Sequence, residues 1–238
     1  MGTGQFCTNP GLVLLLAGEA TDQFISDITA KFAEAPVGTL LSAGVEKSLA
    51  TNLQVLVDAG AELLVGNSAV DDGRFCYANT LLKVTATQFL ADPEIMQTEA
   101  FGNSSLLLVA DSVDELVQTV ASLEGNLTGC IYSDTTGSDD AAYDRIASEM
   151  RVKVGRLLND KMPTGVAVSA AMNHGGPFPA TGHPAFTAVG IPGSLLRFGM
   201  LQCYDNIRAH RLPEILQDAS PNGTVWRSVD GSWTQANI

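Results

Sequence analysis

Short apolar runs alternate with amphipathic stretches along most of this chain, the pattern of strands joined by crossover helices in a largely parallel sheet. Leu12–Ala17 is apolar throughout and reads as a buried strand. From Glu19 to about Ala33, Phe24, Ile25, Ile28 and Phe32 share one face while Asp22, Asp27 and Lys31 lie elsewhere, which is a helical period. Glu19 and Asp22 suit the positive end of that helix. A second helix is predicted from about Val45 to Ala59, with Leu49, Leu53, Leu56 and Val57 as its stripe and Gly60 as its stop. Ala61–Val65 reads as a strand, Asp71-Asp72-Gly73 as a turn and Cys76–Val84 as extended again, and Asp92-Pro93-Glu94 opens a short helical turn.

Ser105–Ala110 is a buried strand in this reading. Ser112 followed three residues later by Glu115 is a capping-box signature for a helix that turns Leu116, Val120 and Leu123 inward. Gly129–Tyr132 and Val154–Leu158 are strands flanking a helix over Asp139–Met150. From Met172 to Pro192 glycine, proline and histidine follow one another irregularly, after which Leu195–Tyr204 regains helix-like spacing and Leu212–Leu216 is a short apolar segment. The expected fold is α/β, a mostly parallel sheet flanked by helices over residues 1–190, with residues 191–238 as a C-terminal arm.

Composition adjusts this picture little. With 238 residues, 45% of them hydrophobic and 16% charged, the chain can bury roughly 70% of its unfolded surface without metals or disulfides. The formal net charge of −13 repels phosphate backbones and anionic lipid surfaces, which argues against nucleic-acid and membrane partners. Leu12–Ala17 is too short to span a bilayer and lacks the basic flank of a signal peptide. Cys7, Cys76, Cys130 and Cys203 are widely spaced with no Cys-x-x-Cys pair, so free thiols in a reducing, cytoplasmic setting are expected rather than a disulfide framework or a zinc site.

Cys76, Cys130 and Cys203 read as small buried hydrophobes. Cys7 differs. Gly4 and Gln5 allow a tight backbone approach before it, Thr8 and Asn9 are polar, and Pro10-Gly11 turns the chain into the first strand, so the thiol is presented at a strand edge. A thiolate there would attack a carbonyl, with the Cys7 backbone N–H available to the developing oxyanion. His174, His183 and His210 show neither metal-ligand spacing nor a cysteine or carboxylate partner in sequence, so neither a metal site nor a Cys/His dyad is expected.

Gly4-Gln5-Phe6-Cys7-Thr8 resembles the nucleophile motif of the aldehyde dehydrogenase superfamily, and Glu99-Ala100-Phe101-Gly102 resembles that superfamily's Glu-x-Phe-Gly-Pro motif. The resemblance implies that Cys7 is the catalytic nucleophile, that Glu99 hydrogen-bonds the nicotinamide ribose of NAD or NADP, and that Phe101 packs beside the nicotinamide ring. The loop Met172–Thr181 and the tail segments Cys203–Asn206, Leu212–Glu214 and Trp226–Gly231 are most similar to the branch that oxidises α-ketoglutaric semialdehyde (2,5-dioxopentanoate). That similarity makes Asn173, His174 and Phe178 candidates for the aldehyde pocket. A dicarboxylate product implies a cationic pocket, yet no arginine is marked out by its context.

Two departures matter. Asn103 stands where the family usually has proline, which implies a looser turn after Gly102. The family's Rossmann-like cofactor domain, glutamate base and oxyanion-hole asparagine normally precede the cysteine, and only six residues precede Cys7. Residues 1–190 are therefore expected to be the catalytic-domain half of such an enzyme, and 191–238 its oligomerisation arm and tail. The cofactor domain would come from a partner chain or a missing N-terminal part. The implied chemistry is oxidation of a small aldehyde through a thiohemiacetal and a thioester. An inactive assembly fragment and a cysteine-dependent esterase remain alternatives. The apolar face left without a cofactor domain leads us to expect a homo-oligomer.

Overall fold

In the computed structural model, which describes residues 2–165, 167–219 and 225–238, the predicted alternation of strands and helices is realised. Strand β1 (Leu12–Leu16) leads into α1 (Glu19–Glu34) and α2 (Ala43–Asp58), and strands β2 (Glu62–Val65) and β3 (Thr80–Thr85) follow. Two short helices, α3 (Ala86–Ala91) and α4 (Pro93–Met96), precede β4 (Ser104–Ala110). Then come α5 (Val113–Ser122), β5 (Asn126–Ile131), α6 (Asp140–Met150) and β6 (Val154–Asn159).

Helix starts follow local chemistry. Ser42 Oγ accepts from the Val45 N–H at 3.3 Å and Asp92 Oδ1 from the Ile95 N–H at 3.2 Å, each satisfying an amide that the first helical turn leaves unpaired. Ser112 caps α5 through the Glu115 N–H at 3.2 Å, as the sequence predicts. The reciprocal bond lands one residue early, because the Glu115 carboxylate accepts from the Asp111 N–H at 2.8 Å. A complete capping box forms instead between Thr85 and Gln88 at the start of α3, a helix of 6 residues that is too short to show a period in sequence.

The main sheet has the order β1-β4-β3-β2, with β4 parallel to both β1 and β3 and with β2 antiparallel at the far edge. Leu106 of β4 pairs with Leu12 on one side and Leu82 on the other. Leu82, Val84, Leu106 and Leu108 pack with Leu49, Leu53 and Leu56 of α2, Phe89 of α3 and Met96 of α4 to form the core. Strands β5 and β6 make a separate parallel pair.

Several expectations change. β1 is an edge strand, bonded among the described residues only to β4, so its apolar run is half-buried rather than buried, and Leu16 is 43% exposed. Helix α1 has the predicted extent but none of its residues is buried, and Phe24 on its apolar face is exposed. A groove of about 1450 Å³ runs between β1, α1 and the β5–α6 region. Of the cysteines other than Cys7, only Cys76 is buried. Its thiol donates to Val70 O at 3.4 Å and to Asp72 Oδ1 at 3.2 Å, and burial pushes its pKa up. Cys130 is half-buried with Sγ 2.7 Å from Lys161 O, and Cys203 is exposed.

By contacts the chain divides into two units, Met1–Leu195 and Leu196–Ile238. In the second, β7 (Arg227–Val229) and β8 (Ser232–Thr234) form a hairpin whose two-residue turn, Asp230-Gly231, has positive φ at both positions and so matches the strand twist. The helix expected over Leu195–Tyr204 does not form beyond a single 3-10 turn, Gly193–Arg197. Phe198 and Leu201 are 84% and 98% exposed, and an apolar stripe with nothing to pack on does not stabilise a short helix.

A turn at Asp72–Arg74, ahead of β3, is tied to the segment between α1 and α2. The Arg74 guanidinium pairs with the Asp72 carboxylate and also donates to Thr39 Oγ1 at 3.2 Å. That pairing, with the Cys76 thiol adding to it, lowers the Asp72 pKa from 3.8 to about 2.

Leu108→Ala, at a fully buried position on the central strand, is expected to lower unfolding stability by about 2–5 kcal/mol, read from urea midpoints at unchanged slope. Because the folded-state pKa of Asp72 is depressed, its contribution is complete above about pH 4 and is lost as pH falls through about 2. Asp72→Asn should therefore lower the melting temperature at neutral pH and flatten its decline between about pH 4 and 2. A variant with the wild-type acid limb would contradict the assignment.

Candidate active site

Cys7 lies in a tight turn immediately before β1. Gly4 adopts φ +69°, and a Cβ built on it would sit 1.9 Å from Gly102 O, so only glycine lets these two backbones touch. Gln5 anchors the turn: its side chain donates to Gly2 O at 3.0 Å and Thr39 O at 3.2 Å, and accepts from the Leu41 N–H at 2.8 Å. On the other side Thr8 is buried, with its hydroxyl 3.3 Å from Thr164 Oγ1. Ser105 Oγ donates to Pro10 O at 2.8 Å, and the Leu106 N–H to Gly11 O at 2.8 Å, which stitches the exit of the turn to β4. Held on both sides, Cys7 itself is exposed.

The backbone contact at Gly4 brings the second motif alongside. Asn52 Nδ2 donates to Glu99 O at 2.7 Å and Ser104 Oγ to Ala100 O at 2.7 Å, fixing Glu99–Gly102 between α2 and β4. Asn103 does not loosen the turn, as its replacement of proline implies. Its Nδ2 donates to Tyr77 O and Asn79 Oδ1, both at 2.8 Å, and its carbonyl accepts from the Thr80 N–H at 3.0 Å, so it binds the turn to the start of β3. Cys7, Glu99 and Phe101 line one cavity of about 680 Å³ together with Gln97, Glu124 and Ala180. Glu99 is exposed there and the Phe101 ring is 37% exposed.

The loop after β6 closes over this region by backbone contacts. A Cβ on Gly155 would lie 1.4 Å from Gly175 O, and one on Gly176 would lie 2.1 Å from Asn126 O. Within the loop the His174 N–H donates to Thr187 O at 3.0 Å. Asn173 uses its amide on Gly175 O at 3.4 Å and its carbonyl oxygen on the Thr187 hydroxyl, so it shapes the loop and does not line the cavity. Phe178 is 81% exposed and does not line it either. His174 does not line the cavity either, but it reaches Cys7, with Nε2 3.3 Å from Sγ, while its Nδ1 is buried with no hydrogen-bond partner among the described residues.

That contact is the arrangement the sequence did not show. Cysteine and histidine are 167 positions apart, and no local spacing marks residues joined only by a loop folding back. No group of three or more His, Cys, Asp or Glu side chains able to hold a metal occurs among the described residues. No helix among them is long and apolar enough to cross a membrane.

Comparison with known proteins gives the same direction. Residues 1–176 match the model of the aldehyde dehydrogenase family. Alpha-ketoglutaric semialdehyde dehydrogenase 2 of Azospirillum brasilense is 38% identical over 93% of this chain and 41% of its own length. The alpha-ketoglutaric semialdehyde dehydrogenase of Acinetobacter baylyi is 32% identical over 99% of this chain and 44% of its own length. The chain thus spans less than half of these relatives. Among solved structures, lactaldehyde dehydrogenase from Escherichia coli superposes with a TM-score of 0.59 at 22% identity, covering 74% of this chain and 36% of that one. Succinic semialdehyde dehydrogenase from Streptococcus pyogenes, in complex with NADP+, gives 0.57 at 21% identity over 73% and 37%. With both motifs meeting in one cavity and the family model matched over residues 1–176, the chain belongs to the aldehyde dehydrogenase family.

Proposed function

We propose that Cys7 is the nucleophile of an NAD(P)-dependent oxidation of a small aldehyde to its carboxylic acid, and that this chain forms the thiol-bearing part of the enzyme. The observation that carries the reading is the convergence of Cys7, Glu99 and Phe101 on one cavity. The Cys7 thiolate adds to the aldehyde carbon as the carbonyl π pair moves to oxygen, giving a thiohemiacetal. Bound NAD or NADP supplies the acceptor for the hydride lost from that carbon. Cys7 then carries the acyl group as a thioester, and attack by water releases the acid and restores the thiol. An exposed carboxylate at Glu99 suits the hydroxyls of a nicotinamide ribose, and the partly exposed Phe101 ring suits a flat heteroaromatic face, so the residues present fit that part of the cofactor.

α-Ketoglutaric semialdehyde is the proposed substrate, because relatives at 38% and 32% identity are named for it. The general base that activates water for thioester hydrolysis and most of the dinucleotide site are assigned to sequence outside these 238 residues, in line with the 41% and 44% of the relatives' length that the chain spans. The half-buried edge strand β1 and the groove beside it are apolar surfaces suited to contact with that missing part or with a second copy. The Cys7–His174 contact favours one secondary reading, a cysteine-dependent ester hydrolysis that needs no nicotinamide.

The purified chain alone is expected to form negligible NADH or NADPH from α-ketoglutaric semialdehyde, since a positioned general base alone is worth about a hundred- to ten-thousand-fold in rate. Turnover at rates ordinary for the family would contradict this. In the chain assembled with the part that supplies base and cofactor site, Cys7→Ala should abolish oxidation, and persistence of activity would remove Cys7 from the mechanism. In the same assembly Glu99→Gln should raise the KM for NAD or NADP by about tenfold, the weakening expected when a hydrogen bond to a charged group is lost. An unchanged KM would rule out the ribose role.

A further inference from the structure

We infer that His174 is the proton partner of Cys7: its Nε2 accepts the thiol proton, so that the nucleophile stands as a thiolate beside an imidazolium. The inference rests on the reading of Cys7 as nucleophile and adds to it a residue that neither motif contains. The Sγ–Nε2 separation of 3.3 Å is within hydrogen-bonding reach of sulfur. The other ring nitrogen, Nδ1, makes no hydrogen bond among the described residues, so the Cys7 contact through Nε2 is the one the ring makes there.

The contact is built rather than incidental. The His174 N–H is held by Thr187 O, and Asn173 bonds the Thr187 hydroxyl and Gly175 O around it. The Gly155–Gly175 and Gly176–Asn126 backbone approaches press the loop onto β5 and β6. On the opposite side, Gln5 and Thr8 immobilise the turn that carries Cys7. Two separately anchored backbones therefore set the distance.

The charged groups sharing the cavity wall with Cys7 are Glu99, from the turn before β4, and Glu124, from the segment before β5. Among the described residues no lysine or arginine lines that cavity, and Thr8 beside Cys7 pairs with the neutral Thr164 hydroxyl. The carboxylates disfavour an isolated thiolate, so proton transfer to His174 Nε2, 3.3 Å from Sγ, is the arrangement that leaves the thiolate a cation at hand. The transfer moves one proton from Sγ to Nε2 and changes no other bond.

The test needs neither cofactor nor aldehyde. Carbamidomethylation of the whole chain by iodoacetamide, followed at Cys7 and at Cys203 by peptide mass spectrometry, reads each thiol's reactivity against pH. Cys203, exposed in the other unit, is the internal reference. An isolated thiol gains reactivity only as it ionises near pH 8.5, whereas a paired thiolate reacts already at pH 6–7. Cys7 should react about tenfold faster than Cys203 at pH 6.5 and no faster above pH 9.5. His174→Gln should remove that advantage at pH 6.5 while leaving the rate at pH 9.5 unchanged. Parallel profiles for the two cysteines in the wild-type chain, or an unaltered Cys7 profile in the variant, would overturn the inference. The wild-type comparison decides the matter even if the variant fails to fold. A paired profile together with undiminished aldehyde oxidation by an assembled Cys7→Ala enzyme would instead leave the pair standing and defeat the dehydrogenase role of Cys7.

Discussion

The backbone contact between Gly4 and Gly102 is the constraint on which the site depends. With a Cβ at position 4 only 1.9 Å from a carbonyl oxygen, any other residue would force the Cys7 turn away from Glu99–Gly102. The two motifs are far apart in sequence, one leading into β1 and the other into β4. Parallel pairing of β1 and β4 puts the starts of both strands at the same end of the sheet, and the glycine contact closes the remaining gap. Nucleophile and candidate cofactor residues thus share a wall because strand topology and the absence of one methyl group agree.

Glycine plays the same part on the loop side. Gly155 and Gly175 meet backbone to backbone, as do Gly176 and the start of β5, and the result is an imidazole delivered to the thiol from a distant part of the chain. Most side-chain polarity nearby is used to hold backbones. Gln5, Asn52, Asn103, Ser105 and Asn173 all bond carbonyls or amides of neighbouring segments. That leaves few groups facing the cavity, Cys7 and Glu99 among them, and a site rigidified from behind holds its reactive groups without holding its substrate in advance.

Much of the architecture was legible in sequence because its causes are local. A cap such as Ser112 and the apolar periods of α1 and α2 act over a few residues, and each lies where the pattern puts it. The errors share a different origin. β1 has a buried strand's composition but lies at a sheet edge, Cys130 is half-buried and Cys203 exposed, and the apolar spacing of Leu195–Tyr204 gives no more than a 3-10 turn. Asn103 was misjudged for the same reason: its effect comes from Tyr77 and Asn79, which sequence spacing does not bring near.

From the residues alone came the α/β class, the family resemblance and the identity of the candidate nucleophile and cofactor contacts, since each is a matter of residue type and short-range order. Tertiary structure alone decided which of them meet. It gathered Cys7, Glu99 and Phe101 around one cavity, left Asn173, His174 and Phe178 outside its lining, and set His174 against Cys7. The physical reason is that a contact between distant segments depends on which strands pair and how closely backbones approach, and neither has a signature at the position of the residues that finally touch.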